Sequence, residues 1–565
     1  MNHTQKVIIG LGYKNTGDFV IKYILPLFSV VLFMYFILAF LFTMLPFYIP
    51  YVVLFFGCCI IIGYPYIHYE QQKINIEENL HLFITYAGTI STIDISRGHL
   101  FKSVSKKKTL GQIATTFKKI NYFAKRWNMG YSASCRKIGS LTPSKIFGDF
   151  LDRFAVMLDY GESLDVFLVE EQDALMDDFS ANYKKSLESI KTIQDIFLSM
   201  TMALGFLISI GLILPLIADT SITSVLGWIL LIFFTIDFMI LVFVKNFIPA
   251  DRLMQHSDIV DDGMKKIFKA TFIAIPSSAV ILTTLFLINA LPFMINVAIG
   301  IIPLFYIGFI ANQVENDVYN RDKAFPAFIR SLGIAIDIKS GAVMSAITSL
   351  RVHDFGLIDP MLQNLYKRLR TGNDKMLSWK YFAAECGSNL IYEFTQIFSE
   401  SVSLGGRAEK IAEIISNNFQ RILSLRKLKI QLASSLRGAM YGALVGFAGA
   451  AYVAAEISQL LSGLFSAPFS DASDTGEFAA SLLGEINPSA ALAVNPETIA
   501  LYLGVMVIFH AIVSSIIIKV IDGGTTYAMF FDMSIMIWMG TVLSIMLPFV
   551  LSILLPGLGD LTGPM

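Results

Sequence analysis

Residue patterns that build catalytic or metal sites are scarce in this chain. It has four cysteines, of which Cys58 and Cys59 are adjacent in an apolar stretch and the other two are isolated. Such spacing predicts neither a zinc site nor a disulfide framework. A phosphate-binding loop is also missing, because Asp18 follows residues 12–17 where that loop needs a lysine. The sequence therefore predicts a protein that is not an enzyme and has no cofactor.

Basic residues are absent from one long part of the chain. None lies between Arg437 and Lys519, where a loop over residues 461–497 is acidic. By contrast, the N-terminus, residues 70–195, the segment 245–270 and residues 313–437 are rich in lysine and arginine. The positive-inside rule places these basic parts in the cytoplasm and the acidic loop outside the cell. The net charge of -1 gives no reason to expect a nucleic-acid partner.

Long apolar stretches are abundant. A hydrophobic fraction of 55% and a mean hydropathy of +0.63 are typical of a multi-pass membrane protein. About nine stretches are long enough to cross a bilayer as helices. They lie at about 23–44, 47–67, 196–217, 225–244, 271–289, 291–310, 438–461, 498–519 and 529–555.

A sequence motif occurs twice between these stretches. Residues 93–98 read Ile-Asp-Ile-Ser-Arg-Gly, and residues 336–341 read Ile-Asp-Ile-Lys-Ser-Gly. A second pair of matches, 150–164 and 394–408, lies at nearly the same offset. Apolar residues recur at helical spacing around both, so one all-α module is predicted to occur twice. The flanking spans repeat in the same orientation, which predicts a parallel repeat with the last span left over.

The chain thus divides into five parts. The first, 1–69, holds a cytoplasmic N-terminus and a hairpin of two spans, and the third, 196–312, holds spans three to six around a cytoplasmic loop. The second and fourth, 70–195 and 313–437, are the cytoplasmic helical modules. The fifth, 438–565, holds spans seven to nine and the external loop. The predicted fold is all-α, a polytopic membrane protein with about nine transmembrane helices and two homologous helical-bundle modules.

Glycines in the repeated motifs predict tight turns of helical hairpins. Glycine adopts the left-handed conformation at the end of a helix without a Cβ clash. The turn positions are Gly98 and Gly161 in the first module and Gly341 and Gly405 in the second, with Asp94 and Asp337 preceding two of them.

Each module carries a basic stretch. One interpretation is a solvated face near anionic lipid, and the other is a docking surface for an acidic cytoplasmic partner. The residues are Lys106, Lys107, Lys108, Lys118, Lys119, Lys125 and Arg126 in the first module, and Lys367, Arg368 and Arg370 in the second.

Span seven has a ridge of small residues, and span four has a carboxylate. Gly438, Gly442, Gly446 and Ala450 recur every four residues, which predicts close packing against a helix of this chain or of another copy. Asp237 lies in the middle of an apolar run, where an unpaired charge is costly. A structural role for Asp237 is favoured over an ion path, which would make the protein a transporter or channel.

The modules resemble the cytoplasmic helical domains of the type II secretion F/type IV pilus platform family. The resemblance rests on four short motifs, 94–100, 160–164, 337–344 and 404–408, in which a helix, a glycine and an aliphatic restart follow one another. In the fourth, Ala408 departs from the pattern. The number of spans is similar to that of the archaeal branch.

The resemblance implies a non-enzymatic membrane platform that assembles an archaeal type IV pilus-like filament, an archaellum in preference to an adhesive pilus. It also implies as partners a hexameric secretion or motor ATPase, pilin-like or archaellin subunits, membrane lipid, and further copies of the chain in a dimer or small ring. In such a platform the ATPase drives subunit insertion and rotation of the filament.

Overall fold

The computed structural model describes residues 16–29, 32, 49–93, 96–217, 222–247, 252–257, 259, 261–288, 291–466 and 496–554. Within these ranges the regular structure is helical, apart from one isolated β-bridge between Met254 and Ser388. A short helix over Thr16–Phe19 and a π-helical turn over Val20–Ile24 come first. The first module and its flanking helices comprise α1 Ile49–Ser91, α2 Arg97–Lys106, α3 Gln112–Arg126, α4 Tyr131–Gly139, α5 Lys145–Tyr160, α6 Leu164–Ile217 and α7 Ile222–Phe247.

The second half begins with two connecting helices and then repeats the same order. The connecting helices are α8 Asp262–Ile288 and α9 Phe293–Gly300. They are followed by α10 Ile302–Ile338, α11 Val343–Leu350, α12 Asp359–Arg370, α13 Lys375–Glu385, α14 Asn389–Ser403, α15 Ala408–Ser466, α16 Pro496–Asp522 and α17 Met529–Leu554. Helices α10–α16 therefore correspond to α1–α7, and α17 has no counterpart among the described helices of the first half.

Six helices in the described part of the chain are long and apolar enough to cross a membrane, or seven if the bent pair α9–α10 is one span. They account for the predicted spans three to nine. Most of the predicted first span lies outside the described residues, and the predicted second span lies largely within α1, which is not among these six helices. The predicted count of nine is therefore not confirmed.

The two modules are built by the same local rules. Ser144 caps the start of helix α5, where its hydroxyl accepts a hydrogen bond from Phe147 N, and Ser388 caps the start of α14, where it accepts one from Ile391 N. A serine in this position satisfies a backbone N–H that has no partner in the first helical turn. Both helices then present an apolar stripe to the core of their module.

Both modules contribute to a single apolar core. In the first, Leu80 and Phe83 of α1 are buried, and Phe83 contacts α3 and α5. In the second, Phe325 and Phe328 of α10 are buried and contact α15 and α13. The buried side chains of the two modules join in one continuous cluster. The modules are therefore a packed pair, which the sequence did not predict.

Helices α6 and α15 run side by side from the modules into the apolar region. At one point the backbone of Phe447 lies 3.5 Å from where a Cβ on Gly205 would be, and further along Ser458 Oγ donates to Leu212 O at 2.9 Å. Corresponding helices of the two repeats thus pack against each other in parallel, which brings the two halves of the chain together.

Ion pairs tie the second module to the last two apolar helices. Lys519 Nζ on α16 lies 2.6 Å from Glu315 Oε2 on α10, and Thr525 Oγ1 donates to Glu315 Oε1 at 2.8 Å. Arg437 Nε on α15 lies 2.9 Å from Asp532 Oδ1 on α17. Buried charges that are paired in this way fix the α16–α17 turn against α10 and α15.

Candidate partner-binding surfaces of the two modules

The basic stretch of the first module is largely on the surface. Lys106 is exposed at the end of α2 and Lys108 in the connection to α3, and four further basic residues lie along the exposed side of α3. Tyr122 and Trp127 are exposed among them, at 54% and 59%. A face of cations and aromatic rings can bind anionic groups and also cover apolar surface. The exposed α3 members of this surface are Lys118, Lys119, Lys125 and Arg126.

Lys107 does not belong to that surface. Its side chain is only 10% exposed, and its ammonium lies 2.7 Å from Glu400 Oε2 of the second module and 4.2 Å from the centre of the Tyr86 ring. Tyr86 Oη donates to Glu400 Oε1 at 2.7 Å. Burial, and then the Glu400 charge, raise the pKa of Tyr86. Lys107 was predicted to share the exposed basic surface, but packing of the second module buries its side chain.

In the second module two of the three predicted basic residues are open. Lys367 and Arg370 are exposed at the end of α12. Arg368 instead pairs with Glu385, its Nη1 lying 3.2 Å from Oε2, and its guanidinium lies 5.0 Å from the centre of the Tyr381 ring. An arginine held in this way positions α12 on α13 and has less freedom to bind a partner.

The junction between the modules is a site that the sequence reasoning missed. Besides the Glu400 contacts, Ser401 Oγ donates to Thr89 Oγ1 at 3.1 Å and Asn418 Nδ2 to Thr85 Oγ1 at 2.8 Å. The sequence of α1 contains one signal of this junction. Residues 82–90 of α1 have no charged side chain and are all buried, and a helix that is apolar or small all round is typical of an enclosed position.

A cavity of about 660 Å³ lies between the modules. Lys108, Arg252 and Lys380 line it, together with the carboxyl groups of Glu77 and Glu393. Burial raises the pKa of both carboxyl groups. Because cations and carboxyl groups both line the cavity, no single ligand charge is favoured there.

Three of the four predicted turn glycines adopt the left-handed conformation, with φ of 75° at Gly161, 84° at Gly341 and 93° at Gly405. The prediction of a left-handed turn at Gly98 is wrong, because Gly98 lies in the first turn of α2 and its φ is not positive. The extended Ser96 already redirects the chain, so no left-handed residue is needed. Asp337 is half-buried at the end of α10, and Asp94 lies outside the described residues.

The small-residue ridge of α15 does not pack on another helix in the described part of this chain. A Cβ added at Gly438, Gly442 or Gly446 would meet nothing within 4 Å, and Ala450 is exposed beside them. The aliphatic side of α15, including Leu436 and Leu444, is buried instead. Large side chains bury more apolar area than glycine, so the ridge faces away from this bundle.

Asp237 is paired, in agreement with the expectation that an unpaired charge in an apolar run is costly. Its Oδ2 lies 2.9 Å from Nδ1 of His510, and the two side chains are 1% and 0% exposed. Phe197, Phe233 and Phe447 surround the imidazole, with ring centres 5.3 to 5.6 Å from it. The pair joins α7 to α16, which are corresponding helices of the two repeats. A buried pair between two helices favours the structural role predicted for Asp237.

Two proteins of known name are similar to the chain over nearly their whole length. Flagella accessory protein J of Methanocaldococcus jannaschii is 32% identical over 493 residues, which cover 86% of each chain. Flagella accessory protein J of Methanococcus voltae is 31% identical over 565 residues, which cover 97% of this chain and 98% of its own. No protein-family model matches the chain. No solved structure matches it either.

Proposed function

The chain belongs to the family of flagella accessory protein J, and on that premise we propose that it is the membrane platform on which an archaellum is assembled. It passes the work of a hexameric motor ATPase to archaellin subunits as they enter the filament, and it catalyses no reaction itself. An archaellum is favoured over an adhesive pilus because both relatives are named for flagella.

The observation that carries the proposal is a pair of modules packed as one body and continued by apolar helices. Helices α6 and α15 each run without a break from a module into an apolar stretch. A displacement of the paired modules is therefore transmitted to the apolar helices, since the long helices have no internal joint. A platform that couples a soluble motor to a filament needs a connection of this kind.

The proposed docking surface for the ATPase consists of the exposed basic residues on the two modules. In the first module these are Lys106, Lys108, Lys118, Lys119, Lys125 and Arg126, and in the second Lys367 and Arg370. An acidic partner surface is attracted by these charges, and the attraction falls with salt over a Debye length of about 8 Å at physiological ionic strength. The positive-inside rule places these modules in the cytoplasm and the 461–497 loop outside.

The test is binding of the full-length chain, reconstituted in lipid discs, to the motor ATPase across a salt series. Reversal of Lys118 and Lys119 to Glu is expected to weaken binding at least about tenfold at low salt and to flatten the salt dependence. Reversal of Lys184 and Lys185, which are exposed on α6 of the same module, is the matched control and is expected to leave binding unchanged. Equal binding by the two double variants and the native chain would place the ATPase elsewhere. The basic surface would then be a lipid-facing one.

A further inference from the structure

The cavity between the modules has walls from three parts of the chain. Helices α1 and α6 line it on the side of the first module, and α13, α14 and α15 line it on the side of the second. The third part is the segment 252–257, which connects α7 to α8. The cavity volume of about 660 Å³ lies within the range of about 300–1,000 Å³ that is usual for sites of small molecules.

The segment 252–257 is fastened to the second module by hydrogen bonds. Asn389 N at the start of α14 donates to Leu253 O at 2.9 Å, and Arg426 Nη2 of α15 donates to Arg252 O at 3.1 Å. These bonds hold the backbone of Arg252 beside the second module. A wall that is already ordered loses little conformational entropy when a ligand binds to it.

The wall on the second module is suited to a phosphate group. Arg252 and Lys380 line it, and neither side chain has an ion-pair partner among the described residues. Helix α14 begins at this wall with Asn389 and Leu390, so the positive end of its dipole lies there as well. A carboxyl group on this wall, that of Glu393, is buried, and burial raises its pKa and so favours the uncharged form. Arginine and lysine next to a helix N-terminus are the usual ligands of phosphate in proteins.

The wall on the first module carries carboxyl groups and aromatic rings. Glu77 and Glu78 of α1 line it, together with Phe179 and Tyr183 of α6, whose ring centres lie 6.0 Å apart. A carboxylate accepts several hydrogen bonds, so these groups can also accept them from amino groups of a ligand. Stacking on aromatic rings, combined with hydrogen bonds to polar side chains, is how proteins hold a nucleobase outside a duplex.

We propose that the cavity binds a nucleotide, with its phosphate groups at Arg252 and Lys380 and its base at the rings and carboxyl groups of the first module. A ligand with two different ends matches a lining in which no single charge is favoured. Lys108, exposed in the α2–α3 connection, contributes a further cation to the lining. Because the nucleotide contacts both modules and the segment 252–257, its binding stabilises their arrangement. Such binding is independent of the proposed assembly role.

The test is calorimetric titration of the purified full-length chain in detergent with the four ribonucleoside triphosphates and with inorganic pyrophosphate. At least one nucleotide is expected to bind saturably at one molecule per chain, and more tightly than pyrophosphate, because only a nucleotide reaches both walls. Lys380→Glu and Arg252→Glu are each expected to raise the dissociation constant at least about tenfold. Tyr183→Leu is expected to weaken nucleotide binding and to leave pyrophosphate binding unchanged, since pyrophosphate has no base to stack.

Lys375→Glu, an exposed reversal at the start of the same helix α13, is the matched control and is expected to leave the dissociation constant unchanged. Where thermal unfolding shows that a reversal damages the fold, Lys380→Gln or Arg252→Gln takes its place, with a smaller loss expected. A native chain that binds no nucleotide at millimolar concentration overturns the proposal. So does nucleotide binding that the cavity variants leave unchanged, or pyrophosphate binding as tight as that of the nucleotides. Because no ATPase or filament is present, these outcomes leave the proposed assembly role untouched.

Discussion

Helices α1 and α10 are the same element of a duplicated module, yet they carry different surfaces. Residues 82–90 of α1 have no charge and are fully enclosed, whereas α10 has a charged or exposed residue at every turn, such as Lys323, Arg330 and Ile334. The difference lies in position, because α1 is held between the two modules and α10 is on the outside of the pair. Duplicated sequences diverge most where one copy is enclosed and the other meets solvent.

The ends of the modules nearest the apolar helices also differ, and here it is the second module that has a buried pair. In the second module Arg426 lies 2.7 Å from Asp322, with side chains 4% and 0% exposed. In the first module the corresponding positions are Asn182 and Glu77, which line the cavity. The second module is therefore fixed here by a buried ion pair, whereas in the first Glu77 accepts a hydrogen bond from Ser144 Oγ at 3.1 Å.

The largest effect on stability is expected when the buried Arg426–Asp322 ion pair of the second module is removed. Arg426→Leu leaves the buried Asp322 carboxylate without its guanidinium, and such a loss costs about 3–5 kcal/mol of unfolding free energy. Asn182→Leu in the first module is the matched change and is expected to cost less than about 1 kcal/mol. Thermal unfolding of the full-length variants in detergent measures both. Equal shifts of the two midpoints would show that the modules are supported alike at this level.

A smaller effect is expected at two glycines, Gly333 of α10 and Gly88 of α1. A Cβ at Gly333 would lie 2.3 Å from Ala412 Cβ and 2.6 Å from Ala408 O, which are rigid neighbours, so Gly333→Ala is expected to cost about 1–3 kcal/mol. A Cβ at Gly88 would lie 2.4 Å from Gln172 Oε1, the end of a flexible side chain that can move aside. Gly88→Ala is therefore expected to be nearly neutral. The same unfolding measurement compares the two, and a larger loss at Gly88 would contradict this account of the helix crossings.

The smallest effect is expected at Glu393 and has the opposite sign. Burial raises the pKa of its carboxyl group, so the proton is bound more tightly in the folded chain than in the unfolded one. The stability linked to this group is complete at low pH and is lost as pH rises through the folded pKa. Glu393→Gln is thus expected to raise the unfolding midpoint by about 1–2 °C at pH 7 and to have no effect near pH 4. Asp149→Asn, at the corresponding exposed position of the first module, serves as the control, and an equal gain there would remove the role of burial.

Sequence patterns predicted much of the fold and less of the candidate sites. The seven apolar stretches from 196 onward and the two all-α modules follow from composition and periodicity, which are local properties. Three of the four turn glycines were predicted because glycine is favoured wherever φ is positive. The basic residues of α3 were also expected to be exposed, since a lysine is rarely buried without a partner.

The residues that the sequence did not place are those whose partners are distant in the chain. Lys107 was grouped with its exposed neighbours, but its partner is Glu400 in the other module. An unpaired charge at Asp237 was expected to be costly, but the sequence did not identify His510 as its partner. The glycine ridge of α15 predicted close packing against a helix of this chain or of another copy, and only the tertiary structure shows that no helix in the described part of the chain covers it.

The sequence by itself therefore determined where helices form, which stretches are apolar enough to span a membrane, and that one module occurs twice. These depend on residue type and spacing along one chain segment. Only the tertiary structure decided that the modules share one core, that Lys107 and Asp237 are paired, and that α10 is open where α1 is covered. Those outcomes depend on which surfaces meet across hundreds of residues. Because many pairings of two similar modules bury comparable apolar area, local pattern alone does not select among them.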